Sequence, residues 1–397
     1  MASSYGHGRR QPDDAEPERE TGAQCASRPG ADVLWPLESA TAAKHRLYKR
    51  YLDAWWPILL QQRSRDGWLW PRVTYLDAFA GPGRYLGGEE GSPVFALRKL
   101  LRHDAAERMH LSRDRVRLLF MEKRSDRYQY LQSELERCFG ALDELPVWPE
   151  AYHAEAGTDA ERLLEITGAW GHPILAIFDS WGNVNVPLRL IGRLAQNPAS
   201  EVIVTFGPNW FSRRENLEPD RLDVVFGGRK YWEPASKEQR TDERWRVWLA
   251  TYRAALRRAG FRFQLHFQIV PKTGLPLYLV YGTKHPKGVE VMKDAMWEVD
   301  GNDGMGFADP RTRGAPLPGQ GMLLWDGPKN PELLELVRQR LEVGPVSLAD
   351  LGHWLLVETA RWRVKDAKPA VQDLLDMGAA SVDSVGKLSR ESVIRLR

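Results

Sequence analysis

The chain is short of several things. It carries two cysteines in 397 residues, Cys25 and Cys138. They are too few for an iron–sulfur cluster or a disulfide framework and too far apart for a zinc knuckle. His153, His172, His266 and His285 show no i,i+4 pairing and no cysteine partner, so no metal site is expected. Cationic and anionic side chains nearly cancel, 56 against 53, leaving a net charge of +3. That excludes a histone-like protein whose binding rests on overall positive charge. No apolar run reaches the roughly 18 residues that a membrane span needs, and the first thirty residues contain no signal-peptide core. A cytoplasmic protein without membrane contact is expected.

What is present points to a globular enzyme-sized chain. Hydrophobic residues make up 43% of it and there are 16 tryptophans, enough for two or three domains with real cores. Residues 1–33 mix charge, Gly, Pro and Ser with few large apolar side chains, which predicts a disordered tail. Residues 34–301 read as the main domain and the Gly/Pro-rich segment 302–330 as a linker or covering loop. Residues 331–397, with three short helical patterns and a strand-like tail, read as a winged helix-turn-helix-like domain.

Within the main domain, Leu47, Tyr51, Trp55 and Leu59 recur every fourth residue, the mark of an amphipathic helix. Apolar runs at Val73–Phe79, Val116–Met121, Val147–Ala154, Ile174–Asp179 and Glu201–Phe206 alternate with helical stretches, which predicts five parallel strands. FRFQLHFQIV and LYLVYGT, joined by PKTGLP, form a β-hairpin that ends the series. The fold class is therefore α/β, a Rossmann-like sheet of the class I methyltransferase type: five parallel strands plus a terminal hairpin.

The sharpest local feature is YLDAFAGPGRY, Tyr75 to Tyr85. A strand delivers Asp77, and Gly81 and Gly83 then make a tight turn that lets a ligand approach backbone amides. Glu122 closes the second strand, where a carboxylate can accept both ribose hydroxyls of a nucleoside. Position 86 is leucine, so the third glycine of a dinucleotide fingerprint is missing. That favours a nucleoside without phosphate, such as S-adenosylmethionine, over NAD. Glu155, after the third strand, could reach an adenine edge or simply be solvated. Asp179-Ser180-Trp181-Gly182 ends the fourth strand, with an acid able to accept from a target amine and an aromatic able to stack on a planar base.

These segments, together with KHRLYKRYLDAWW at 44–56, FMEK at 120–123 and MKDAMWEVD at 292–300, resemble the three-Cys-motif partner proteins, a bacterial, methyltransferase-like family. The glycine-turn segment with its upstream Lys-His helix is also similar to ribosomal-RNA adenine-N6 methyltransferases. The resemblance implies that Lys44 and His45 close over the cofactor, that Asp77, Gly81 and Gly83, with Phe79 between them, line S-adenosylmethionine, and that Glu122 holds its ribose. It places Asp179 and Trp181 at the catalytic loop. Where the adenine enzymes have two prolines and then an aromatic, this chain has Ser180 and Trp181, which removes the rigidity of a proline ring.

Three readings follow. The leading one is an S-adenosylmethionine-dependent methyltransferase acting on nucleic acid or a nucleobase-like acceptor. The second is an inactive methyltransferase-like subunit that binds DNA, RNA or a three-Cys protein. The third is a small-metabolite methyltransferase. Basic residues interleaved with tryptophans around 210–262 suit nucleic acid or a solvated helix face equally. With two cysteines this chain is not itself the three-Cys protein, and its oligomeric state is open.

Overall fold

The computed structural model describes residues 33–184, 186–234, 240–301, 303–312, 330–383 and 386–397. Nearly all of the expected N-terminal tail, with Cys25, and residues 313–329 of the expected linker lie outside them.

Five strands run parallel: β1 (Val73–Asp77), β2 (Val116–Glu122), β3 (Trp148–His153), β4 (Ile174–Phe178) and β5 (Glu201–Phe206). The hairpin strands β6 (Phe263–Val270) and β7 (Leu277–Thr283) follow, with β7 antiparallel to both β5 and β6. The expected linker contributes a further edge strand, β8 (Gly306–Ala308), parallel to β6. The sheet order is β8-β6-β7-β5-β4-β1-β2-β3. Three residues among glycines and prolines carry no periodicity, which is why β8 is invisible in sequence. Asp300 instead secures it by accepting the Met305 and Gly306 amides, each at 3.2 Å.

The central strands divide their side chains between two cores with period two. Val73, Tyr75, Leu118, Phe120, Leu175 and Ile177 face one layer. Leu76, Leu119, Met121, Ile174, Ala176 and Phe178 face the other. The first layer holds α1 (Ser39–Leu60), α2 (Ser92–Leu101), α3 (Ser125–Phe139) and, later in the chain, Pro286–Val299. The second holds α4 (Ala156–Ile166), α5 (Leu188–Gln196), α6 (Pro208–Arg214), α7 (Pro219–Phe226) and α8 (Thr241–Ala259). Helix α9 is Pro286–Val299. Burial on both faces explains why these strands read as continuous apolar runs.

The last segment forms α10 (Pro331–Glu342), α11 (Leu348–Glu358) and α12 (Ala367–Asp376), with β9 (Val346–Ser347), β10 (Ala380–Val382) and β11 (Val393–Leu396). Its antiparallel sheet has the order β9-β11-β10, and it has its own core around Leu351, Leu355 and Val371. It is bolted to the main domain by Lys293 of α9. That side chain is fully buried, and its ammonium donates to the carbonyls of Leu356, Thr359 and Trp362 at 2.8, 2.7 and 2.6 Å. The amine thus satisfies carbonyls at the C-terminus of α11 and in the turn that follows it. Among the described residues, no helix is long and apolar enough to cross a membrane.

Candidate functional site

The C-terminal ends of β1 and β4 lie side by side at the centre of the sheet, the place where a doubly wound sheet opens a crevice. A narrow cavity of about 50 Å³ lies there. Lys44, His45, Asp77, Phe79, Gly81, Gly83, Asp179 and Trp181 all line it, together with Trp35, Tyr48, Tyr85 and Ser92. Glu122 and Glu155 are not among its lining residues.

Gly81 and Gly83 have φ of +64° and +80°. A side chain at Gly83 would also meet Leu131 at 2.9 Å. The turn is therefore a glycine turn by necessity. Below it sits Asp77, fully buried, with Oδ1 accepting the Phe79 amide at 3.2 Å and Oδ2 making no hydrogen bond of ordinary length. Burial raises its pKa to about 6, against the opposing pull of the Ser92 hydroxyl and the Phe79 amide. Ser92 thus serves the carboxylate and does not cap α2, whose cap residue is Gly91.

Glu122 is used locally. Its Oε2 accepts the Gly81 amide at 3.1 Å and its Oε1 the Arg124 amide at 2.8 Å, which ties the glycine turn to the end of β2. A carboxylate has about four acceptor positions, so acceptor capacity remains beside the turn. Glu155 is half-exposed, pairs with Lys123 at 2.8 Å and precedes α4 as its cap residue.

Asp179 lies where α1 crosses the end of β4. Its Oδ1 accepts Lys44 at 2.8 Å and Thr205 at 2.6 Å, and its Oδ2 accepts Lys44 at 2.7 Å and Tyr48 at 3.2 Å. Burial pushes its pKa up. The Lys44 charge and the bonds from Lys44 and Thr205 outweigh that and hold it below the usual carboxylate range. His45 packs between Tyr85 and Phe95. Burial, helped by the neighbouring Lys44 charge, lowers its pKa to about 3, so it is neutral at physiological pH.

Trp181 stands 51% exposed at the mouth, with the Lys44 ammonium 4.5 Å from its ring centre. Its φ of +56° is a strained value for a bulky residue. Gly182 continues the turn at φ +86°, and a Cβ there would strike the Gly207 backbone at 2.8 Å. The Gly207 amide donates to the Gly182 carbonyl at 3.0 Å, which clamps the loop to the entry of α6. Trp35 covers the opposite side. Its ring is 3.5 Å from where a Gly81 side chain would begin, and the Arg127 guanidinium lies 4.4 Å from its centre.

Sequence reasoning missed Trp35, Tyr48, Tyr85 and Thr205. Tyr48 was findable, since it follows Lys44 by one helical turn and shares its face. Trp35 and Thr205 carry no local signal, because only the packing of distant segments brings them to the cavity. Among the described residues, no group of three or more His, Cys, Asp or Glu side chains could hold a metal ion.

No protein-family profile and no curated protein matches the chain. Solved structures overlap it in part. EvdMO1 is 14% identical over 63% of this chain and 42% of its own, at a TM-score of 0.31. This chain therefore spans less than half of that one. The precorrin-6y C5,15-methyltransferase of Geobacter metallireducens is 9% identical, over 64% and 96% of the two chains, at 0.29. The hMettl16 catalytic domain in complex with MAT2A 3′UTR hairpin 6 is 8% identical, over 64% and 74%, at 0.30. The fold itself is read from strand order. Five parallel strands ordered β3-β2-β1-β4-β5, with an antiparallel β7 inserted between β5 and β6, make a Rossmann-like class I methyltransferase sheet.

Proposed function

We propose that the chain is an S-adenosylmethionine-dependent methyltransferase acting on nucleic acid or a nucleobase-like acceptor. The observation that carries this reading is Asp77, a buried carboxylate whose Oδ2 makes no hydrogen bond of ordinary length, beneath a glycine turn at the centre of such a sheet. An ammonium group answers that vacancy, and the amino-acid end of S-adenosylmethionine has one. The free capacity of Glu122 suits ribose hydroxyls, while Lys44 and the backbone amides of the turn suit the carboxylate. The cofactor, when bound, supplies a methyl group on a positively charged sulfur.

The chain's own residues would position the reactants. Trp181 offers a ring face to a planar acceptor. Asp179, its acceptor positions filled by Lys44, Tyr48 and Thr205, holds Lys44 in place and meets an acceptor amine only when one of those donors turns away. Its lowered pKa makes it a weak base. A pocket for a nucleoside-sized ligand needs roughly 300–1,000 Å³, so Trp35 must lift from the glycine turn before the cofactor enters.

The same closure and the same saturated Asp179 favour a second reading. In it the chain is a methyltransferase-like subunit without turnover that binds nucleic acid or a three-Cys-motif protein, as the family resemblance suggests. The C-terminal module supports nucleic-acid contact, because the chain order α10-β9-α11-α12-β10-β11, with the sheet order β9-β11-β10, is the winged-helix order. Helix α12 carries Lys368 against Asp373 and Asp376, so the wing residues Lys387 and Arg390 are the better phosphate contacts.

Calorimetry with S-adenosylmethionine and S-adenosylhomocysteine decides the cofactor. Wild type binds both and Gly81→Arg binds neither. Absence of binding by wild type removes the enzyme reading. Asp179→Ala that binds cofactor but loses methyl transfer keeps the loop catalytic, and unchanged transfer removes that role. A gel shift with DNA and RNA at two salt concentrations tests the module, since phosphate contacts weaken with salt.

A further inference from the structure

A second cavity, of about 310 Å³, adjoins the first and shares one wall with it, Trp181. Its other walls come from α6 and the residue before it (Gly207, Asn209, Trp210, Arg213), from the turn between β6 and β7, and from Glu38, Ala40 and Asp309. Trp210 is held by two guanidinium groups, Arg214 and Arg221, at 4.8 and 4.7 Å from its ring centre.

Four charged residues line this cavity, Glu38, Asp309, Lys272 and Arg213, and three of them are held in ion pairs. Lys272 is paired with Glu38 at 2.6 Å, and Asp309 with Arg311 at 2.7 Å. Arg213 is exposed and, among the described residues, has neither a hydrogen-bond nor an ion-pair partner. The lining thus combines two indole walls, a half-buried carboxamide at Asn209 and, in Arg213, one cation without an ion-pair partner among the described residues. The volume suits one or two fused rings with a short substituent.

The geometry points to this cavity as the acceptor pocket, taking a flat aromatic ring that bears an anionic group, with the ring between Trp181 and Trp210 and the anion on Arg213. Indole faces favour planar rings, and a free guanidinium favours phosphate or carboxylate. The assignment rests on the methyl-transfer reading, because Trp181 is what joins the two cavities. It makes Trp210 and Arg213 specificity residues, outside the cofactor cavity.

Calorimetry with two probes, adenosine 5′-monophosphate and anthranilate, beside their neutral counterparts adenosine and aniline, tests it on the full chain. Wild type binds an anionic probe more tightly than its neutral counterpart. Arg213→Ala weakens the anionic probes about tenfold and leaves the neutral ones unchanged, while Trp210→Ala weakens all of them. A preference for the nucleotide or for the carboxylate tells which source supplies the anion. Failure of both anionic probes to bind wild type at millimolar concentration overturns the assignment, as does binding indifferent to both substitutions. S-adenosylhomocysteine titrated into the same variants keeps the two claims apart: its binding is unaffected by Arg213→Ala. If wild type binds the probes but not S-adenosylhomocysteine, the methyl-transfer reading and the acceptor role fall, and the pocket stands only as a binding site for an anionic ring.

Discussion

Lys44 holds both oxygens of Asp179, at 2.8 and 2.7 Å, from a side chain that is only 2% exposed. The pair fastens the first helix to the end of the fourth strand, and Trp181 lies over the same ammonium. Removing the cation alone strands a buried carboxylate, a loss of about 3–5 kcal/mol. Lys44→Met is therefore expected to melt well below wild type in thermal unfolding, and Lys44→Met with Asp179→Asn to recover much of that loss. A double variant no more stable than Lys44→Met shows that the pair is not what holds the helix.

Asp77 is expected to make S-adenosylhomocysteine binding depend on pH. Its folded pKa of about 6 stands above the ordinary 3.8, so between those values the folded chain keeps a proton that the unfolded chain has released. Its contribution to stability therefore falls as pH rises through that window. Binding of an ammonium group runs the other way, because it needs the ionised form. S-adenosylhomocysteine affinity is expected to drop about tenfold per pH unit below 6 and to level off above 7. Asp77→Asn should bind weakly with that step removed. Calorimetry at several pH values reads both.

Trp35 lies over the glycine turn, held by Arg127 and edge-on to Tyr85. Trp35→Ala is expected to raise the association rate of S-adenosylhomocysteine several-fold in stopped-flow fluorescence. A slower or unchanged rate would mean that the indole packs on the ligand and does not bar it.

Gly182 is the point where the catalytic-loop candidate touches the entry of α6. Any Cβ there meets backbone, and the φ of +86° adds strain. Gly182→Ala is expected to cost about 2–3 kcal/mol in chemical denaturation. It should also shift Trp181 enough to change its emission. Gly140→Ala, also at positive φ but in open space, should cost less and leave that emission unaltered.

Lys293 replaces a helix cap at the junction with the C-terminal module. Lys293→Met leaves several buried carbonyls without a donor, each costing about 1–3 kcal/mol. Limited proteolysis should then release residues beyond about 330, while the main domain's melting transition persists. A variant as resistant as wild type would place the docking energy in the Trp297–Trp362 contact instead.

The sheet was legible because burial on both faces writes itself into sequence as apolar runs, and the glycine turn was legible because a positive φ admits few residues. Lys44, His45, Asp77, Phe79, Gly81, Gly83, Asp179 and Trp181 gather at one cavity, each belonging to a motif readable along the chain. The partners of Asp179 were harder. Tyr48 follows from helical spacing, but Thr205 belongs to a different strand, and the sequence offers no period that links it to position 179. β8 stayed hidden because three residues have no pattern of their own.

Composition and periodicity alone determined the order of elements and the position of the glycine turn, since each follows from local sterics or from hydrophobic patterning. Only tertiary packing decided that Asp179 is saturated, that Trp35 covers the turn, and that Trp181 stands between two cavities. Those outcomes depend on distances between segments far apart in sequence, where long-range contacts and the electrostatics of burial decide.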